Sequence, residues 1–146
     1  MRQLSKWDLR FLDLADHISL WSKDPTTQVG CVIANPDHRV IGLGFNGFPQ
    51  GSDDAREKLM DREAKRLRTI HAEMNALHFA TGSVEGATVY STHHPCAACA
   101  ANLIQHKPLE VIIPKSKIGE LGVDWLRSLQ EAKAMFDEHG IEVIEI

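Results

Sequence analysis

The chain has 146 residues, of which 43% are hydrophobic and 25% charged, and its formal net charge is -4. This composition is typical of a globular domain and excludes a disordered chain, while the acidic balance argues against a general nucleic-acid binder. Charged residues interrupt every apolar stretch before it reaches the ~20 residues that span a membrane, and three cysteines are too few for a disulfide framework. We therefore expect one domain over residues 1–146 in the reducing cytoplasm, or in the host cytoplasm if the protein is viral.

The first predicted element is an amphipathic helix, because apolar residues recur every three or four positions from Leu4 to Trp21. Trp7, Phe11 and Trp21 are expected on its core side. The other predicted elements are helices over 55–68, 70–80, 96–105 and 124–138, and strands over 29–34, 40–45, 87–92, 109–113 and 141–146.

The order of these elements predicts the fold class. The first two strands are joined by a short turn and form a hairpin, whereas helices separate the later strands and predict parallel neighbours. We predict a three-layer α/β/α fold with a central mixed sheet of about five strands.

A set of zinc-ligand residues is the strongest functional signal. His71 lies two residues before Glu73, and Cys96 and Cys99 form a Cys-x-x-Cys pair at the start of a predicted helix. One imidazole and two thiolates leave the fourth tetrahedral position of zinc open, as in catalytic sites. Zinc lowers the pKa of a water that it binds, and the Glu73 carboxylate is placed to transfer protons beside it.

Two other interpretations of Cys96 and Cys99 are half of a structural zinc knuckle and a redox pair. A structural site needs a fourth protein ligand, and the remaining cysteine, Cys31, lies in an apolar strand that is typical of a core thiol. A redox pair does not need His71 and Glu73. The residues therefore favour catalytic zinc.

The chain resembles the cytidine deaminase superfamily, and within it the deoxycytidylate (dCMP) deaminases. The His71-Ala72-Glu73 motif and the Pro-Cys-Ala-Ala-Cys motif over 95–99 mark the superfamily. The segment Ser-Lys-Asp-Pro-Thr-Thr-Gln-Val-Gly over 22–30 and the loop Gly-Phe-Asn-Gly-Phe-Pro over 44–49 are typical of the nucleotide branch.

This resemblance implies a hydrolase acting on a cyclic amidine, which converts dCMP and water to dUMP and ammonia. It also implies a homo-oligomer, commonly a hexamer. Activation by dCTP and inhibition by dTTP, with Mg²⁺, are implied at a site near the loop over 44–49. We assign Gly44, Gly47 and Phe48 to that effector site, and Arg68 as a further contact.

Several polar residues are candidates for substrate binding. The Asn46 amide can both donate and accept hydrogen bonds, which suits a sugar hydroxyl or a pyrimidine edge, although Asn is also common in turns. Ser22, Lys23 and Thr27 offer the hydroxyls and the cation that a phosphate needs. His94, next to the Pro-Cys motif, is predicted to line the pyrimidine pocket.

A second candidate for phosphate contact is Lys115, which precedes Ser116 and Lys117. It follows a predicted strand at its carboxyl end, where open α/β sheets usually bind ligands. The other cations between 55 and 68 are interpreted as a solvated helix face.

Three rival functions stay open. The enzyme could act on deoxycytidine or dCTP, because sequence alone does not give the number of phosphates. A nucleic-acid base deaminase is disfavoured by the acidic charge, and we expect neither nucleic-acid nor membrane partners. The third rival is a binding module that zinc merely stabilises.

Overall fold

A computed structural model describes residues 1–115 and 123–146. The helices are α1 (Lys6–Ser19), α2 (Arg56–Met60), α3 (Arg62–Arg68), α4 (Ala72–His78), α5 (Ala97–Gln105) and α6 (Val123–Glu138). The strands are β1 (Gly30–Ala34), β2 (Val40–Phe45), β3 (Thr88–Ser91), β4 (Glu110–Ile113) and β5 (Glu142–Glu145). Within these two ranges, no helix combines the length and the apolar character needed to cross a membrane.

The five strands form one mixed sheet in the order β2-β1-β3-β4-β5. Strand β1 pairs antiparallel with β2 and with β3, whereas β3, β4 and β5 run parallel. Helices α5 and α6 make the connections between the parallel strands, as such crossovers require. The predicted hairpin and mixed sheet are confirmed.

Helices cover both faces of the sheet. On one face, Phe11, Ala15 and Ile18 of α1 pack in a cluster that includes Val32 and Tyr90. On the opposite face, buried residues of α4, α5 and α6 form a larger cluster with the alternate residues of β1, β3 and β4. The predicted three-layer architecture is therefore confirmed.

Glycines in β2 let helix α4 lie directly on the sheet. A Cβ atom at Gly44 would stand 2.5 Å from the Ala76 nitrogen and 2.6 Å from the Ala72 oxygen, and one at Gly42 would stand 2.6 Å from the Ala76 oxygen. Any larger side chain would force the helix away from the strand. This contact fixes the start of α4, which carries the predicted zinc motif.

Two details of the sequence prediction were wrong. The helix predicted over 55–68 is interrupted at Asp61, where the backbone is extended (ψ 105°) and the carboxylate accepts hydrogen bonds from the amides of Glu63 and Ala64. Asp61 therefore starts a new helix as its N-cap. Helix α1 ends at Ser19, so Trp21 is 53% exposed and contacts Phe45 edge-on instead of entering the core.

An ionic cluster with buried acidic groups and an exposed arginine ties the N-terminal segment to the sheet. The Arg2 guanidinium donates to both Asp8 and Glu110, and the Tyr90 hydroxyl donates to Asp8 at 2.7 Å. Asp8 is 2% exposed, and the hydrogen bond from Arg2 holds the pKa of its carboxyl well below the usual range. Helical spacing predicted α1 but gave no sign of this cluster, because its partners lie far apart in the chain.

Candidate active site

The three predicted zinc ligands lie at the starts of two helices. His71 is the N-cap of α4, Cys96 is the N-cap of α5, and Cys99 lies in the first turn of α5. Both helices pack on the same face of the sheet. Residues that are about 25 positions apart in sequence thereby meet in space.

The donor atoms have the spacing that a zinc ion requires. The His71 Nδ1 atom lies 3.4 Å from Cys96 Sγ and 3.3 Å from Cys99 Sγ, and all three donors lie within 4.8 Å of one another. Ideal tetrahedral zinc would hold a sulfur and a nitrogen ligand about 3.6 Å apart. The donor set therefore fits zinc with one coordination position left for a water molecule or substrate.

The electrostatics favour a thiolate before any metal binds. Hydrogen bonds with Cys99 and with His71 lower the pKa of Cys96 despite its burial, and the bond with Cys96 raises the pKa of His71. The bond to Cys96 and burial raise the pKa of Cys99. Zinc bound at this site would hold both cysteines as thiolates, because the thiolate is the form that binds metal.

The Glu73 carboxylate lies beside these ligands, in the first turn of α4. It is 3% exposed and accepts a hydrogen bond of 2.7 Å from the Ser91 hydroxyl. Glu73 and the ligands His71 and Cys96 line one cavity, the site pocket, of about 640 Å³. The pocket therefore places a carboxylate for proton transfer next to the metal donors.

Several predicted substrate residues also line the site pocket. They are Thr27, Asn46 and His94. The Asn46 amide donates to the Thr27 carbonyl and accepts from the Val29 amide, both at 2.8 Å, and buried Ser22 donates to the Asn46 carbonyl. Asn46 thus holds the wall of the pocket and keeps one donor and one acceptor position for a ligand.

Other predicted contacts lie elsewhere. Lys23 forms an ion pair with Asp54 and lines a neighbouring cavity. Lys115 is exposed, and its backbone amide donates to the Ile146 carbonyl. Arg68 is exposed at the end of α3. Ser116 and Lys117 lie outside the described residues.

Three cations of α3 line the site pocket, although their sequence pattern indicated only a solvated face: Arg62, Lys65 and Arg66. Their spacing of three and four residues places them on one side of α3, which is the signal that could have identified them. Lys65 donates to Asp24 at 3.1 Å and to the Thr26 hydroxyl at 2.6 Å. Burial would raise the pKa of Asp24, but the Thr27 and Thr26 amides and Lys65 lower it overall.

A second cavity of about 720 Å³ adjoins the site pocket. Gly44, Gly47 and Phe48, the predicted effector residues, line it together with Trp21 and Phe79. The two cavities share wall residues, which are Asp24, Asn46, Leu59, Lys65 and Thr69.

Comparisons with known proteins place this arrangement in a family. The family model for the cytidine and deoxycytidylate deaminase zinc-binding region matches residues 5–115. An uncharacterized deaminase in the luxG 3′ region of Aliivibrio fischeri is 41% identical over 140 residues, which are 96% of this chain and 93% of that protein. The chain belongs to the cytidine and deoxycytidylate deaminase family, whose members are hydrolytic enzymes.

Further relatives carry more specific names. A probable deoxycytidylate deaminase of Caenorhabditis elegans is 44% identical over 106 residues, which are 70% of this chain but 54% of that protein. The crystal structure of dCMP deaminase from the cyanophage S-TIM5, in complex with dCMP and dUMP, matches with a TM-score of 0.78 over 99% of this chain and 100% of that one. At 19% identity, this match shows the fold.

We expect Cys99→Ser to lose zinc, because a ligand of the three-donor set is weakened. The measurement is zinc content after dialysis against a chelator, with roughly one ion per chain in the unaltered protein. Cys31→Ala is the matched control, since Cys31 is buried in β1 outside the donor set. Full zinc in Cys99→Ser, or equal loss in Cys31→Ala, would contradict the assignment.

Proposed function

We propose that this chain hydrolyses dCMP to dUMP and ammonia in a single zinc-dependent domain, as part of pyrimidine deoxynucleotide metabolism. The observation that supports it is the donor group of His71, Cys96 and Cys99, two of which, His71 and Cys96, line one pocket with the buried Glu73 carboxylate. Zinc, when bound, acts as a Lewis acid that makes water a nucleophile at neutral pH.

Glu73 performs the proton transfers in this proposal. Its carboxylate takes a proton from the attacking water and delivers it to the ring nitrogen. It then takes the second proton from the new hydroxyl on the ring carbon and delivers it to the amino group, which leaves as ammonia. Because Glu73 is 3% exposed, bulk water has little access to these protons. The ring carbon gains a hydroxyl oxygen and loses its amino group, which gives dUMP.

The rest of the site pocket recognises the nucleotide. Asn46 and His94 contact the sugar or the base, and the Ser22 hydroxyl keeps Asn46 in place. Arg62 and Arg66, with Thr27, bind the single phosphate, because guanidinium groups and hydroxyls donate to phosphate oxygens. Lys23 and Lys115 remain alternative phosphate contacts. The deoxycytidylate deaminase names of relatives support a monophosphate substrate.

We also propose regulation at the second cavity, with dCTP as activator, dTTP as inhibitor, and Mg²⁺ on the triphosphate. Gly44, Gly47 and Phe48 line this cavity. Arg68 lies outside its lining, exposed at the end of α3, and is proposed as a further cation for the triphosphate. Asp24 and Lys65 stand in the wall shared with the site pocket. A ligand in the second cavity that moves the Asp24–Lys65 ion pair therefore also changes the wall of the site pocket.

We further propose that the chain forms a homohexamer in the cytoplasm. A homohexamer is supported by large apolar side chains left exposed on the monomer, among them Trp21, Leu43 and Phe79. A cytoplasmic location is supported by Cys96 and Cys99, which must stay reduced to bind zinc.

We expect the chain to turn over dCMP with a kcat/KM roughly 100-fold or more above that for deoxycytidine, because the nucleoside leaves the phosphate contacts unused. The measurement is the loss of cytosine absorbance with dCMP, deoxycytidine and dCTP, each with and without dTTP and dCTP as effectors. Inhibition by dTTP and reversal by dCTP are expected. Preference for deoxycytidine or dCTP would overturn the substrate, and saturation curves unchanged by either effector would overturn the regulation.

We expect the double substitution Arg62→Gln and Arg66→Gln to raise the KM for dCMP about 10- to 100-fold, since charge-assisted hydrogen bonds to the phosphate are lost. Arg39→Gln, an exposed change outside both cavities, is the matched control. An unchanged KM in the double variant, with a raised KM in Lys23→Gln or Lys115→Gln, would move the phosphate contact to that lysine.

A further inference from the structure

Ser91, the last residue of β3, is a polar side chain in an otherwise apolar face of the sheet. Residues on that face alternate along the strands, and the cluster members nearest to Ser91 in the sheet register are Cys31, its partner on β1, and Val89, two residues earlier on β3. Ser91 is fully buried, with 0% exposure. A hydroxyl at such a position needs a hydrogen-bond partner to offset its burial.

The partner of Ser91 is the carboxylate that transfers protons in the proposed reaction. The Ser91 hydroxyl donates to Glu73 Oε1 at 2.7 Å, and Glu73 itself is 3% exposed. We propose that Ser91 is a positioning residue for deamination: it holds the Glu73 carboxylate in one orientation, with Oε1 occupied and Oε2 left for proton exchange. This inference rests on the proposed function.

The surroundings of Glu73 give this bond its importance. Cys31 lies directly across from Ser91 in the β1–β3 pair. Ala72 and Ala76, which belong to the same helix as Glu73, are fully buried. Burial, with the Glu73 charge as a second cause, raises the pKa of Cys31, so its thiol stays neutral. Ser91 therefore supplies a hydroxyl on an otherwise apolar face of the sheet, next to Glu73. The Glu73 side chain has three rotatable bonds, and the hydrogen bond from Ser91 restricts its orientation.

The bond also links the proton-transfer group to the central sheet. Ser91 is paired with Cys31 in the centre of the sheet, whereas Glu73 lies in the first turn of a seven-residue helix. Proton transfer requires the carboxylate to stay within hydrogen-bond reach of the reacting atoms, and small displacements of a catalytic group reduce rates strongly. A bond from the sheet to Glu73 limits that displacement.

The test uses the zinc-loaded full chain with Ser91→Ala and Ser91→Thr. We expect Ser91→Ala to lower kcat about 10- to 100-fold, as loss of supporting hydrogen bonds does in metal sites, with KM nearly unchanged. Zinc content should equal that of the unaltered protein, because no ligand is touched. Ser91→Thr keeps the hydroxyl and should retain most of kcat. If the extra methyl group of threonine prevents folding, Ser91→Cys, which keeps a weak S–H donor, replaces it in the test.

Ser19→Ala is the matched control for a lost buried hydroxyl. The Ser19 side chain is 6% exposed and donates to the Asp16 carbonyl at 2.6 Å, away from the site pocket. Its loss should lower the melting temperature and leave kcat unchanged. If Ser91→Ala behaves in the same way, Ser91 has only a structural role and the inference is wrong.

A thermal double-mutant cycle tests the contact without any substrate. Ser91→Ala should lower the melting temperature in the unaltered protein but much less in a Glu73→Ala background, because the partner is then already absent. Equal losses in both backgrounds would overturn the inference. If dCMP is not turned over, the proposed substrate is wrong, and kcat is then compared on the cytosine compound that the unaltered protein does deaminate.

Discussion

The close packing of α4 on β2 is the constraint on which the site depends. Gly42 and Gly44 leave room for the helix backbone, and the start of α4 then carries His71 and Glu73 to the start of α5. A side chain at Gly44 would displace both the ligand and the carboxylate. Gly44 therefore has a structural task whether or not it also faces an effector.

The two helix starts explain why anionic groups gather here. Unpaired amides and the helix dipole give each N-terminus a partial positive charge, which stabilises thiolates and carboxylates. Cys96 and Cys99 lie at the start of α5, and Glu73 lies in the first turn of α4. The same fold that brings zinc ligands together thus also favours the charge states in which they act. Ser91 adds a fixed donor from the sheet.

The sequence predicted the parts of the site that depend on local spacing. The Cys-x-x-Cys pair and the His-x-Glu motif singled out residues that lie together in the structure in a group that could hold a metal ion, and periodicity predicted the order of helices and strands. The sequence did not predict the position of Lys23. An ion pair with Asp54, 31 residues away, holds the Lys23 side chain at the second cavity. The Ser91 bond likewise joins residues 18 positions apart, which no local pattern encodes. The break at Asp61 and the α3 cations did have local signals, a helix-capping Asp and a spacing of three and four residues, and these were missed.

In the reaction that we propose, Glu73 transfers protons beside a zinc ion that His71, Cys96 and Cys99 hold. The most direct test of this role is dCMP turnover and zinc content measured on the same sample of Glu73→Gln, which keeps the size of the side chain but cannot exchange the proton. We expect unchanged zinc content and turnover reduced by about 10²- to 10⁴-fold, the usual contribution of a general acid and base. Normal turnover in a zinc-loaded Glu73→Gln protein would contradict it.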